Sequence, residues 1–204
     1  MTIEQRVVAD LTTETPGTDP ATIDRLRVRL ARGAERAGVL DVAYRTLDSP
    51  VGPLLLAATT EGLVRVAFEG EDHDVVLGSL AEQVSPRILV APARLDGAAR
   101  ELDEYFAGAR RSFDVPVDLR LAHGFRRTVL EHLRSIAYGT TESYATVAAA
   151  AGSPAAVRAV GSACAHNPVP LVVPCHRVVR SDGTIGRYRG GTAAKQRLLA
   201  LEAA

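Results

Sequence analysis

The spacing of apolar positions changes three times along the chain. Ile23, Leu26 and Leu30 recur at helical spacing within residues 21–32, which predicts a short amphipathic helix behind a mobile, Thr/Pro/Gly/Asp-rich lead at residues 12–20. From Asp41 the texture becomes β. Residues 42–47, 54–60 and 63–68, separated by the Ser49-Pro-Val-Gly-Pro53 and Glu61-Gly62 turns, predict an antiparallel meander. Helical patterns follow near 74–84 and 95–106, and residues 112–119 read as a last strand, completing a small α+β unit. Asp96, Glu101, Asp103 and Glu104 fall on a polar helical face, where solvation is the expected role.

A third texture begins at Phe125, where Phe125, Val129, Leu133 and Ile136 keep helical spacing until Gly139. Residues 144–151 form a helix ending at Gly152. Ser153 as N-cap and Pro154 at the first helical position predict a second helix running to about His166, stopped by Asn167-Pro168. This is a helix-turn-helix. At about 100° per residue, Val157, Val160 and Cys164 share one side of the second helix and are expected to face the core. Ala155, Arg158, Ala159 and Ser162 share the other, a small-residue face from which one arginine projects and which suits close approach to a phosphate chain.

Charge sharpens that reading. The chain has 204 residues with 24 basic and 24 acidic side chains, but residues 1–124 carry 14 basic against 20 acidic (−6) and residues 125–204 carry 10 against 4 (+6). A basic carboxy-terminal region fits a polyanionic partner. Arg25, Arg27, Arg29, Arg32 and Arg36 on the first helix are expected simply to be solvated. The two cysteines, Cys164 and Cys175, form no zinc-like pattern, so neither a disulfide framework nor a metal site is expected, and a reducing cytoplasm fits. The longest apolar runs, 51–58 and 169–174, are far below the roughly 20 residues of a membrane span, and the first six residues lack a secretory pattern.

Leu171-Val-Val-Pro174 and Val178-Val179 read as one buried strand interrupted by Cys175-His176-Arg177. A thiol becomes a good nucleophile as thiolate, and an adjacent imidazole can take its proton directly or through a water. Neighbouring side chains in a strand point to opposite faces, so catalysis here requires a local departure from strand geometry or a bridging water. A buried cysteine beside a core histidine is the alternative. The glycine-punctuated stretch 180–191, which contains Tyr188, can cover a flat ligand, and Glu202, ending a last helix over 193–201, can reach back to orient a histidine.

Residues 167–179, Asn-Pro-Val-Pro-Leu-Val-Val-Pro-Cys-His-Arg-Val-Val, resemble the active-site signature of the O6-alkylguanine-DNA alkyltransferases, the methylated-DNA-protein-cysteine methyltransferases. The match runs from Phe125 to Glu202 through Ser143-Tyr144, residues 156–161, Gly186, Gly190-Gly191 and Leu198-Leu199. The meander resembles, more loosely, that family's ribonuclease-H-like domain. The implied organisation is an amino-terminal extension (1–40), a ribonuclease-H-like α+β domain (41–120) and a mostly helical DNA-binding and active-site domain (121–204).

The resemblance implies direct repair of double-stranded DNA: Cys175 takes the alkyl group from guanine O6 and keeps it, once per molecule and without a cofactor. His176 would act through a water as base, Glu202 would hold the imidazole, Tyr144 would donate to the departing guanine, and Asn167 would shape the adjacent turn. The Val178 carbonyl and the amide near Arg189, with Tyr188 and Tyr144, would form the base pocket. Arg158 would fill the gap left by the flipped nucleotide, while Ala156, Val157, Ala159 and Gly161 meet the minor groove. No membrane, metal or obligate protein partner is implied. Arg187 and Arg189 occupy loop positions where the family commonly has small polar residues. Two other readings compete: an alkyltransferase-like protein that flags lesions without repairing them, which Cys175 argues against because that group lacks the cysteine, and a cysteine hydrolase on an unrelated fold.

Overall fold

The computed structural model describes residues 19–203, so most of the expected amino-terminal lead lies outside the described residues. Helix α1 (Pro20–Arg36) is capped by Asp19, whose carboxylate accepts from the Ala21 amide, with Pro20 at the first position. It runs longer at both ends than the spacing predicts. Only Ala31 of this helix is buried, while Leu26 and Leu30 are 50% and 58% exposed, so its leucines face solvent rather than the sheet. Its five arginines are exposed as expected.

The meander forms as read: β1 (Val42–Leu47), β2 (Leu54–Ala58) and β3 (Leu63–Phe68) pair antiparallel in sequence, with Leu47 opposite Leu54 and Leu54 opposite Phe68. Side chains alternate across β2. Leu54, Leu56 and Ala58 enter one core and Leu55 and Ala57 another. Both faces are covered, which explains the unbroken apolar run Leu-Leu-Leu-Ala-Ala.

Two elements of this region depart from the reading. A fourth strand, β4 (Ile88–Val90), pairs parallel with β1 and gives the order β3-β2-β1-β4. Residues 112–119 form no strand; they make a single bridge from Val117 to Leu63, where Gly62 at φ +143° admits the Pro116 carbonyl so closely that no Cβ fits. Helices α2 (His73–Gln83) and α3 (Asp96–Phe106) lie where helical spacing places them. Glu101, expected on the wet face, is 6% exposed because its carboxylate accepts from the Asp114 and Val115 amides at 2.8 and 3.2 Å. It holds the start of this irregular segment, while backbone bonds from Leu63 N to the Pro116 carbonyl and from Asp118 N to the Leu63 carbonyl hold its end.

The carboxy-terminal part consists of α4 (Gly124–Leu133), β5 (Glu142–Ser143), α5 (Tyr144–Ala150), α6 (Val157–Ala165), β6 (Val178–Val179) and α7 (Gly191–Glu202). One apolar core runs through both parts of the molecule, joining Leu56, Val66 and Leu102 to Val129, Leu133, Val160, Val173 and Leu198. A backbone bond from Val66 N to the Pro168 carbonyl (2.8 Å) ties β3 to the segment that leads to Cys175. Among the described residues no helix is long and apolar enough to cross a membrane.

Candidate active site

Cys175, His176 and Arg177 form a 3-10 turn rather than the interior of a strand. The segment before it is not strand either. Leu171 has φ +75°, and Pro170 and Val173 make only an isolated bridge. Asn167, 1% exposed, cinches this loop: its Nδ2 donates to the Val173 carbonyl at 2.8 Å and its Oδ1 accepts from the Val169 amide at 3.0 Å. The departure from strand geometry that catalysis requires is therefore built into the backbone, since successive residues of a 3-10 turn point about a third of a circle apart.

Glu202 gathers the site. Its carboxylate meets His176 Nε2 at 2.8 Å, Arg177 Nε and Nη2 at 2.8 and 2.9 Å, Tyr105 Oη at 2.7 Å and the Gly139 amide at 3.2 Å. Gly139, at φ +74°, is required here because a Cβ would lie 2.9 Å from the Glu202 carbonyl. Although burial opposes the charge, the donors, His176 and Arg177 foremost, hold Glu202 down to about 2. Burial meanwhile holds the His176 imidazole below its ordinary value against the pull of Glu202, which favours the neutral ring. A neutral ring facing a carboxylate through Nε2 carries its proton there. Nδ1, buried and without a partner among the described residues, is left as the acceptor.

Cys175 is 2% exposed, and burial pushes its thiol up while Asn167 and Lys195 pull it down. Lys195 is the only lysine in the chain. It is fully buried, burial holds it below the usual lysine range, and its Nζ donates to the Val178 carbonyl at 2.5 Å. That carbonyl has a second lone pair for a ligand. Tyr144 is half-buried, its hydroxyl pushed up to about 12 chiefly by burial, and it lies so close to Gly186 that any side chain at 186 would displace it. Tyr188 stands edge-on to His176 with ring centroids 6.4 Å apart. The Arg189 side chain pairs with Glu71 at 2.7 Å.

The helix-turn-helix is present, with one turn fewer than expected. Residues 153–156 make a turn closed by Ala156 N to the Ser153 carbonyl, so Ser153 and Pro154 do not start α6; Ala156 does. Val160, Ala163 and Cys164 form its inner face, but Val157 is 38% exposed, because at the first position of the shortened helix it lies beyond the core. Val157 thus joins Arg158, Ala159 and Ser162 on the outer surface, with Ala156 and Gly161 partly exposed beside them.

The structure brings Cys175, His176, Glu202, Tyr144, Asn167, Val178 and Tyr188 into one region and leaves Arg158 on the outer face of α6. Sequence reasoning missed Tyr105, Arg177, Lys195 and Glu71. The lone lysine among 23 arginines was a readable signal for one of them. Tyr105 gave none, being 97 positions from its partner.

Comparison with known proteins places these residues in context. Residues 42–119 match the family described as "6-O-methylguanine DNA methyltransferase, ribonuclease-like domain", and residues 124–204 match its "DNA binding domain". A methylated-DNA–protein-cysteine methyltransferase of Mycolicibacterium paratuberculosis is 40% identical over 161 residues, covering 79% of this chain and 92% of that protein. The constitutive enzyme of that name from Bacillus subtilis is 37% identical, covering 78% and 94%. Among solved structures, Mycobacterium tuberculosis OGT in complex with DNA superposes with a TM-score of 0.69 at 40% identity, covering 79% and 92%. The chain therefore belongs to the 6-O-methylguanine DNA methyltransferase family.

Proposed function

We propose that the protein repairs double-stranded DNA by moving the alkyl group of an O6-alkylguanine onto Cys175, once per molecule. The observation that carries this reading is the fully buried His176, next to Cys175 in one 3-10 turn, with its Nε2 held by Glu202 at 2.8 Å and its buried Nδ1 without a partner among the described residues. His176 Nδ1 accepts the Cys175 proton, directly or through one water, and the thiolate attacks the alkyl carbon. The sulfur–carbon bond forms as the carbon–O6 bond breaks, and the electron pair passes to the guanine. Tyr144 Oη, whose raised value keeps it protonated, donates a hydrogen bond that stabilises the departing guanine, and the proton taken by His176 passes to the base through water. A thioether has no ready leaving group, so the protein is consumed.

Asn167 supports the reaction by fixing the loop before Cys175, and Lys195 places a cation near the developing thiolate. The nearly sealed sulfur requires the base to be rotated out of the duplex and the 180–190 loop to give way as it enters. Outer residues of α6, Ala156, Val157, Ala159 and Gly161, meet the groove and Arg158 fills the vacated stack. The domain boundaries near residues 40 and 120 separate this machinery from a ribonuclease-like scaffold and an added amino-terminal helix. The site of action is the cytoplasm, on the nucleoid when bound to DNA.

The test is direct. Incubation with duplex DNA carrying O6-methylguanine, followed by peptide mass spectrometry, should place one methyl on Cys175 and none on a Cys175→Ala variant that still binds DNA. Tight binding without transfer would instead indicate a lesion flag, and repeated release of product a hydrolase.

A further inference from the structure

Three consecutive positions of the active-site loop rest on two residues of the amino-terminal sheet region. The Tyr188 ring packs edge-on against Phe68 at 5.5 Å. Gly190 seats its backbone on the same ring, where a Cβ would lie 2.7 Å away. Between them, Arg189 Nε pairs with Glu71 Oε2 at 2.7 Å. Glu71 is itself held: Oε2 also pairs with Arg65, and Oε1 accepts from the Phe68 amide at 3.0 Å, so the end of β3 and the turn after it form one rigid seat.

Besides the packing of Gly186 on Tyr144 and of Tyr188 on His176, little holds this part of the loop. Residues 180–184 close on themselves through Arg180 N to the Thr184 carbonyl and through the Asp182 carboxylate. Among the described residues, the Glu71 pair is the one polar side-chain contact made by residues 185–190. The Glu71 and Arg65 side chains are each 10% exposed, so the ion pair lies in a poorly hydrated place where losing the carboxylate leaves two guanidinium groups facing one another. On the loop's inner side the Tyr188 ring stands edge-on to His176, which is fully buried and adjoins the 2%-exposed Cys175.

We infer that Phe68 and Glu71 clamp the loop that roofs Cys175 and thereby set how bulky an O6 substituent the pocket admits. The inference rests on the alkyl-transfer reading and adds a selectivity role for residues that touch neither the sulfur nor the imidazole. A methyl group needs only brief yielding of the roof, whereas a ring-sized substituent needs the loop held away from Phe68 for as long as it is bound. The clamp opposes the second far more than the first.

The experiment compares the rates at which O6-methylguanine and O6-benzylguanine, as free bases, alkylate Cys175 in the full chain, read by intact-protein mass spectrometry. Glu71→Gln should raise the benzyl-to-methyl rate ratio about tenfold, the shift in an opening equilibrium that one charge-assisted hydrogen bond controls. Arg189→Met should give the same rise, and the double variant no more than either, because both ends of one contact are removed. Trypsin should also cut after Arg187 faster in Glu71→Gln. Because Arg189 is on the surface loop, its variant keeps the test open if Glu71→Gln fails to fold. A ratio unchanged in Arg189→Met, or single effects that add in the double variant, overturns the clamp. Failure of the unaltered protein to be alkylated by either base would overturn the repair reading itself.

Discussion

His176 and Glu202 stand 26 positions apart, yet Nε2 and Oε1 lie 2.8 Å from each other and neither side chain is more than 2% exposed. The carboxylate serves two groups at once: it orients the imidazole through Nε2, and it neutralises Arg177, which is 6% exposed. Glu202→Gln keeps the shape and removes the charge. It should cost about 3–5 kcal/mol of folding stability, since a buried guanidinium loses its counterion. Alkyl transfer by the folded fraction should slow by at least about a hundredfold, the usual share of a positioned base. Urea unfolding and single-turnover kinetics measure the two effects, and an unchanged transfer rate would remove Glu202 from the machinery.

The same pair sets a pH dependence with a definite sign. Because burial lowers the His176 pKa in the folded chain, the unfolded chain binds more protons around its ordinary value of 6.5, so this stabilisation is complete above that value and is lost as pH falls through it. The loss approaches about 1.4 kcal/mol per pH unit. Glu202, held down to about 2 against an ordinary 4.5, adds a loss of the same sign as pH drops from 4.5 toward 2. Urea midpoints should therefore fall between about pH 7.5 and pH 5.5. His176→Asn should flatten the first step, and a wild-type midpoint that does not fall over this range would contradict a neutral buried ring.

Arg158 offers a test that separates extrusion of the base from chemistry on it. It projects from α6 and the structure gives it no ion pair among the described residues. Arg158→Ala should slow repair of duplex DNA at least about tenfold while leaving attack on free O6-methylguanine within about twofold of normal, because a finger matters only where a stack must be opened. Equal losses on both substrates would place the arginine's effect in the pocket instead.

What could be read before folding follows from the range of the forces involved. The meander and its two helices were legible because each carries its own period, and residues 54–58 could be placed as strand without knowing that both faces are covered. β4 was not, since three residues between Pro86 and Pro92 show no period and pair only because β1 offers an open edge. Residues 112–119 mislead for the opposite reason: they look extended, but the Asp114 and Val115 amides go to Glu101, and only a single bridge, at Val117, reaches β3. At the site, Cys175, His176 and Glu202 announce themselves as interruptions of apolar runs. Tyr105 and Glu71 do not, because a tyrosine ending a helix and a glutamate in a turn look ordinary until tertiary packing delivers them to a partner more than 90 positions away.

The chain's lone lysine, wholly enclosed against the Val178 carbonyl, has a practical corollary. In the native molecule an amine-seeking reagent finds no side chain to label, so acylation at position 195 proceeds only while the helix bearing it has swung open. Counting that modification over time turns one residue into a clock for large excursions of the folded state, read separately from the repair reaction.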